Sequence, residues 1–169
     1  AVLGRSARLD FLLPYNAGRW EGTVDGEFVH FRRRGPGDPR LRFSMLLYGG
    51  KAESIEEFKT SEKSDTVVGA GVSISMPFGE YSAERLINLG NSRWVVRPQI
   101  GVTHTRGKWT GEFTGSLFLY RDNNDFWMDT DLETDPLYAL QAHLIYAFRP
   151  GLWVSLGTAY GWDGEATIN

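Results

Sequence analysis

The chain has 169 residues and a formal net charge of −3, so it carries no basic footprint for nucleic acid. It contains no cysteine, which excludes a disulfide framework and any thiolate metal site. No apolar run is long enough to cross a bilayer as a helix, and the slightly negative mean hydropathy is no objection to a barrel whose loops and lumen are polar.

Alternation with period two predicts seven long strands, because side chains along a strand point to opposite faces in turn. The first, at about 3–14, places Ala7, Leu9, Phe11 and Leu13 on one face and Arg8 and Asp10 on the other. Residues 24–31 read as a short extra strand or a hairpin extension, with His30 in that loop region, and Pro36-Gly37-Asp38-Pro39 is a turn signal. The second strand, 40–49, sets Leu41, Phe43, Met45 and Leu47 against Arg40, Arg42 and Ser44. Residues 51–63 are charged, with spacing for a short helix at 54–59. The third strand, 65–77, alternates Val68, Ala70, Val72, Ile74 and Met76 with Gly69, Gly71, Ser73 and Ser75.

Beyond a loop at 78–92, the fourth strand (93–106) carries Trp94, Val96, Pro98, Ile100 and Val102 opposite Arg93, Arg97, Gln99, Gly101 and Thr103. The fifth (109–121) carries Trp109, Phe113, Leu117 and Leu119 opposite Thr110, Glu112, Thr114 and Ser116. An acidic loop at 122–135 leads to the sixth strand (137–148) and the seventh (152–162). There Leu140, Leu144, Tyr146, Phe148, Leu156 and Tyr160 share a face, opposite Gln141, His143, Ser155 and Gly157. The tail from Asp163 begins another loop.

Gly107-Lys108 fits a two-residue type II′ turn, which pairs Val102 with Phe113 and Thr103 with Glu112. Arg149-Pro150-Gly151 fits a three-residue turn, which pairs Leu144 with Leu156 and His143 with Gly157. Both tight turns fall at one end of the sheet, and the long loops fall at the other, apart from the long connection at 51–64. Short turns on one rim and long loops on the other are the pattern of outer-membrane barrels. Pro98 lies inside a central strand, so a local irregularity is expected beside Arg97.

The same alternation could close a soluble barrel with its apolar face inward. Two features favour the membrane reading. Trp94, Trp109, Tyr146, Phe148, Tyr160 and Trp162 cluster near strand ends on the apolar face, where an aromatic girdle belongs. Gly69, Gly71, Gly101 and Gly157 sit mid-strand on the polar face, which suits a crowded lumen. The expected fold is all-β: an antiparallel up-and-down transmembrane barrel of outer-membrane type. Residues 1–169 form a single domain of it with about seven strands. Single-chain bacterial barrels have even strand numbers, so the domain is expected to be incomplete at one or both ends.

Several blocks in order resemble the outer-membrane family described as "putative MetA-pathway of phenol degradation". They are SISMPFGEY (73–81), LINLGNSRWVVRPQIGVTHTRGKW (86–109), FLYRDNNDFW (118–127) and DPLYALQAHLIYAFRPGLWVSLGTAY (135–160). GDPRLRFSMLLYGG (37–50) and FLLPY (11–15) add weaker matches. The resemblance implies an outer-membrane, transporter-like barrel that passes hydrophobic or aromatic compounds toward a catabolic pathway. It brings no catalytic residues with it.

Candidate pore-lining residues are Arg40, Arg42, Arg97, Gln99, Glu112, Gln141 and His143, with Arg8, Asp10 and Arg93 on the same face. Such a lining would set field and size selectivity, or else form a salt-bridged interior that plugs a narrow barrel. Arg97 and Glu112 lie on neighbouring strands, roughly four residues out of register. A hydrolase built on His143 and Ser155 is not expected, because pairing sets Gly157 opposite His143 and no G-x-S-x-G elbow occurs. His104 falls on the apolar face near the Gly107 turn. The acidic residues of 122–135 lack the spacing and central glycine of an EF-hand, so no metal and no cofactor are expected. Phe126 and Trp127 are outer-loop candidates for covering the pore mouth and meeting a hydrophobic solute.

The leading expectation is a passive channel, not an enzyme, whose partners are outer-membrane lipid and a small hydrophobic or aromatic solute. The alternatives are a structural or adhesive barrel closed to solutes, and a soluble ligand-binding barrel. The sequence leaves the oligomeric state open.

Overall fold

The computed structural model describes residues 5–24, 26–49, 64–85, 87–128 and 130–169. These form twelve antiparallel strands in three sheets. The principal sheet takes β1 (Ala7–Leu12), β4 (Arg40–Tyr48), β5 (Ser64–Ser75), β6 (Val95–Arg106), β7 (Trp109–Tyr120), β10 (Leu137–Arg149) and β11 (Leu152–Asp163), side by side in that order. The expected seven strands are therefore present and lie side by side in the order in which those seven occur along the chain. The sheet stops at β1 and β11 and does not close.

The predicted registers hold. Val102 pairs with Phe113, Thr103 with Glu112, His143 with Gly157, and Leu144 with Leu156. Gly107 has φ +59° and Lys108 is not among the positive-φ residues, as a type II′ turn requires. The second turn is tighter than expected: Arg149 pairs directly with Leu152 across Pro150-Gly151, and the spare residue becomes a bulge at Phe148. At Pro98 the β6–β7 ladder skips two rungs, between Val96–Leu119 and Gln99–Ser116, without a change of register. Proline has no N–H to give.

Four readings change. The first strand ends at Leu12, and Tyr15–Val24 (β2) runs on beyond Pro14 to pair with Glu27–Pro36 (β3). Residues 15–36 are thus a ten-rung hairpin with Gly26 at φ +84° in its tip, and His30 lies within β3 rather than in a loop. The acidic loop is also a hairpin, Asn123–Phe126 (β8) with Thr130–Thr134 (β9), and β12 (Ala166–Ile168) adds to it from the tail. Finally, Glu112 faces Thr103, which is six residues from Arg97, so the offset between Arg97 and Glu112 exceeds the expected four. The predicted helix at 54–59 lies outside the described residues.

Exposure runs opposite to that of a soluble sheet. Along β6, Pro98, Ile100, Val102 and His104 are exposed, while Arg97, Gln99, Gly101, Thr103 and Thr105 between them are half-buried. No hydrophobic residue among those described is buried; the buried polar residues are Ser73, Ser116 and Asn123. Leu156 is 75% exposed and Ile100 56%, which in water would forfeit most of the gain from burying apolar surface. An apolar convex face and a polar concave face make sense only with lipid outside.

The candidate lumen and its long-loop rim

Register places the polar residues of the principal sheet in lateral rungs. Asp10, Arg42, Ser73 and Arg97 share one rung across β1, β4, β5 and β6. The next rung toward the tight turns runs Arg8, Ser44, Gly71, Gln99, Ser116 and Ala139. Below it come Gly69, Gly101, Thr114 and Gln141, and then Thr103, Glu112, His143 and Gly157. All seven candidate pore-lining residues stand on this one face. A cavity of about 390 Å³ opens on its β1–β7 portion, lined by Arg8, Arg42, Ser44, Gln99, Thr103 and Thr114 among others.

Glycines on this face have a steric role where side chains lie flat. A Cβ at Gly157 would stand 2.7 Å from Nδ1 of His143, so the imidazole lies over the space that the glycine leaves. His143 has Glu112 as its partner on the other side, across β7. The Glu112–His143 neighbourhood was hidden in the sequence, because it depends on β7 and β10 pairing across the acidic segment.

Arg97 donates from Nη2 to Ser116 Oγ at 3.2 Å, bridging the gap in the ladder that Pro98 leaves. Its guanidinium lies 4.6 Å from the Phe118 ring centroid, and Arg93 lies equally close, at 4.6 Å, over Tyr120. Phe118 and Tyr120 escaped the sequence reading, although both share the parity of Glu112 and Ser116 on β7. Arg93 lies outside the spanning strands and donates to Thr134 Oγ1 at 2.6 Å. Burial pulls its guanidinium below the ordinary value, opposed by Tyr120 and Asp122, and it remains a cation at any physiological pH.

The apolar face gathers aromatics at two levels. At the tight-turn end Trp109 and Tyr146 are 4.7 Å apart, and Tyr146 and Phe148 are 4.9 Å apart. Toward the long loops Trp162 stacks with Tyr138 at 5.6 Å and Tyr160 at 6.0 Å, while Trp94 meets Phe78 edge-on at 6.0 Å. His104, also on this face, shares a hydrogen bond of 2.8 Å with Thr66 Oγ1, so it is not an isolated polar ring.

The long loop between β5 and β6 is stitched to the hairpins on either side. Asp38 of the predicted turn accepts from the backbone N–H of Gly79 at 3.0 Å and of Asn91 at 2.7 Å. Asn16 donates to Leu89 O, and Arg33 to Ile87 O. On the other side Asn123, only 2% exposed, donates to Tyr81 Oη at 3.1 Å, and Tyr81 donates to Asp125 O at 2.9 Å. Phe126 closes β8 half-buried, and Trp127 follows it in the turn, 41% exposed. His30 lies 3.3 Å from Glu21, far along the β2–β3 hairpin from the candidate lining.

Comparison with known proteins agrees with this geometry. The family described as "Putative MetA-pathway of phenol degradation" matches residues 2–167. Among solved structures, the COG4313 outer membrane channel from Pseudomonas putida F1 is similar, with 27% identity and a TM-score of 0.74. The match covers 99% of this chain and 58% of that one, so the chain spans little more than half the length of the channel. No curated protein matches.

Proposed function

Since the chain belongs to the "Putative MetA-pathway of phenol degradation" family and has an outer-membrane barrel fold, we propose that it forms a major part of the wall of a passive channel for small hydrophobic or aromatic solutes. The observation that carries this reading is the inverted exposure of β6, polar inside and apolar outside. A wall of this kind encloses a wet path, and the residues facing it set its field and width. Arg40, Arg42, Arg97, Gln99, Glu112, Gln141 and His143 are the proposed lining. The rings of Trp94, Trp109, Tyr146, Phe148, Tyr160 and Trp162 are the proposed girdle, anchoring the wall at both membrane surfaces. Phe126 and Trp127 are proposed to meet a hydrophobic solute at the outer mouth. Residues 1–169 are read as one barrel domain, and the protein as a channel rather than an enzyme.

The test is conductance of the full-length parent in planar bilayers, with Arg97→Ala and Glu112→Ala as variants. The expected result is open-channel current whose ion selectivity shifts in at least one variant. Absence of current would replace the channel with a structural or adhesive barrel. Current with unchanged selectivity in both variants would remove these two residues from the lining.

A further inference from the structure

The concave face is not evenly polar. Its long-loop end holds four guanidinium groups, those of Arg40, Arg42, Arg97 and Arg93. Arg42 and Arg97 flank Ser73 on the same rung, and Arg40 stands one rung higher opposite Ser75. None of the four is in an ion pair among the described residues. Asp10, the rung partner of Arg42, is bound instead by Arg8. Asp122 offsets the charge of Arg93, whereas Arg40, Arg42 and Arg97 face one another as like charges, a repulsion that a bound anion would remove.

The same end holds aromatic surface. Phe118 and Tyr120 lie parallel, 12° apart in plane with centroids 6.4 Å apart, each under an arginine. Arg97 also has work left undone: its Nε is enclosed and has no hydrogen-bond partner. A guanidinium presents its Nε–H and one terminal N–H as a fork that fits two carboxylate oxygens. Here Ser116 takes one Nη2 position and Nε is enclosed, so a carboxylate would meet the remaining terminal N–H groups and reach Nε only if the side chains around it shift.

We propose that Arg42, Arg97 and Phe118, with Arg40 above them, form a binding station in the lumen for small aromatic carboxylates. Arginine holds the carboxylate, and the Phe118–Tyr120 platform receives the ring. The inference rests on the channel reading for its location and narrows that reading's solute class from aromatic compounds in general to aromatic anions. Stacking of the ligand ring and guanidinium against Phe118 orders the solute as it passes, so that selection falls on charge and aromaticity together.

The probe is benzoate, with benzyl alcohol as its neutral counterpart and acetate as its ringless one. Equilibrium binding to the detergent-solubilised full-length protein is measured by calorimetry, and block of single-channel current is measured separately. Benzoate is expected to bind and to reduce current, with both neutral and ringless probes at least about ten-fold weaker. Arg97→Ala and Arg42→Ala are each expected to weaken benzoate about ten-fold, and Phe118→Leu to weaken benzoate while leaving acetate unchanged. Each variant is first checked for the wild-type shift between boiled and unboiled gel bands; should an arginine variant not fold, Phe118→Leu decides alone. Benzyl alcohol binding as well as benzoate, or variants with unaltered benzoate affinity, would overturn the proposal. Conductance without benzoate binding would sink it and leave the channel standing. Binding without conductance would support the station and sink the channel.

Discussion

At the scale of single residues, the decisive pairs are neighbours in sequence that live in different solvents. Ile100 faces outward and Gln99 inward, one peptide apart. Ile100→Arg should destabilise the protein in vesicles by about 2–4 kcal/mol, the cost of a cation near the bilayer midplane, whereas Gln99→Arg should cost far less. Urea titration of folding into lipid vesicles measures both, and equal losses would mean that the faces are assigned wrongly. Parity along β7 placed Glu112 and Thr114 on the polar face, and it applied equally to Phe118 and Tyr120. Their place there is not legible from the pattern, because large aromatics on a polar face contradict a simple two-colour scheme. What resolves the contradiction is the arginine above each ring, Arg97 of β6 over Phe118 and Arg93, just before β6, over Tyr120, contacts that no local pattern records.

At the scale of elements, the long strands were legible because lipid on one side and water on the other write period two into the residues. Where both faces meet water that contrast vanishes. Thr130–Thr134 reads Thr-Asp-Leu-Glu-Thr, and Asn123–Phe126 reads Asn-Asn-Asp-Phe, with no apolar stripe to mark a strand. These segments are strands because β7 and β10 deliver them already paired and in register, and a hairpin continues where its ladder is in place. The rim loop depends instead on a few polar clamps. Removing the carboxylate with Asp38→Ala leaves the half-buried Gly79 N–H without its acceptor, at a cost of up to about 1–3 kcal/mol, and hands the exposed Asn91 N–H to water. Asn123→Ala should act alike from the other side. Limited proteolysis within 76–94 is expected to quicken in both variants while the membrane-embedded strands stay protected; wild-type cleavage rates would show that the loop is held by something else.

At the scale of the whole molecule, the principal sheet ends on β1 and β11, and an unpaired strand edge cannot rest in hydrocarbon. A closed barrel that contains this sheet should therefore migrate differently on a detergent gel before and after boiling. A single band under both conditions, with protein in the soluble fraction, would contradict a membrane barrel. The two levels of clustered aromatic rings also define a length. From Tyr138 to Tyr146 or Phe148 the chain advances eight or ten residues along β10. At about 3.4 Å per residue and a tilt of about 40°, that spans roughly 21–26 Å of membrane. This is thinner than the hydrocarbon of an average bilayer, and bacterial outer membranes are thin in the same sense. Acyl-chain length is thus a variable to which this protein is tuned: insertion should go furthest in short-chain lipid, and each added methylene should force the bilayer to pucker around the wall or the wall to stand more upright.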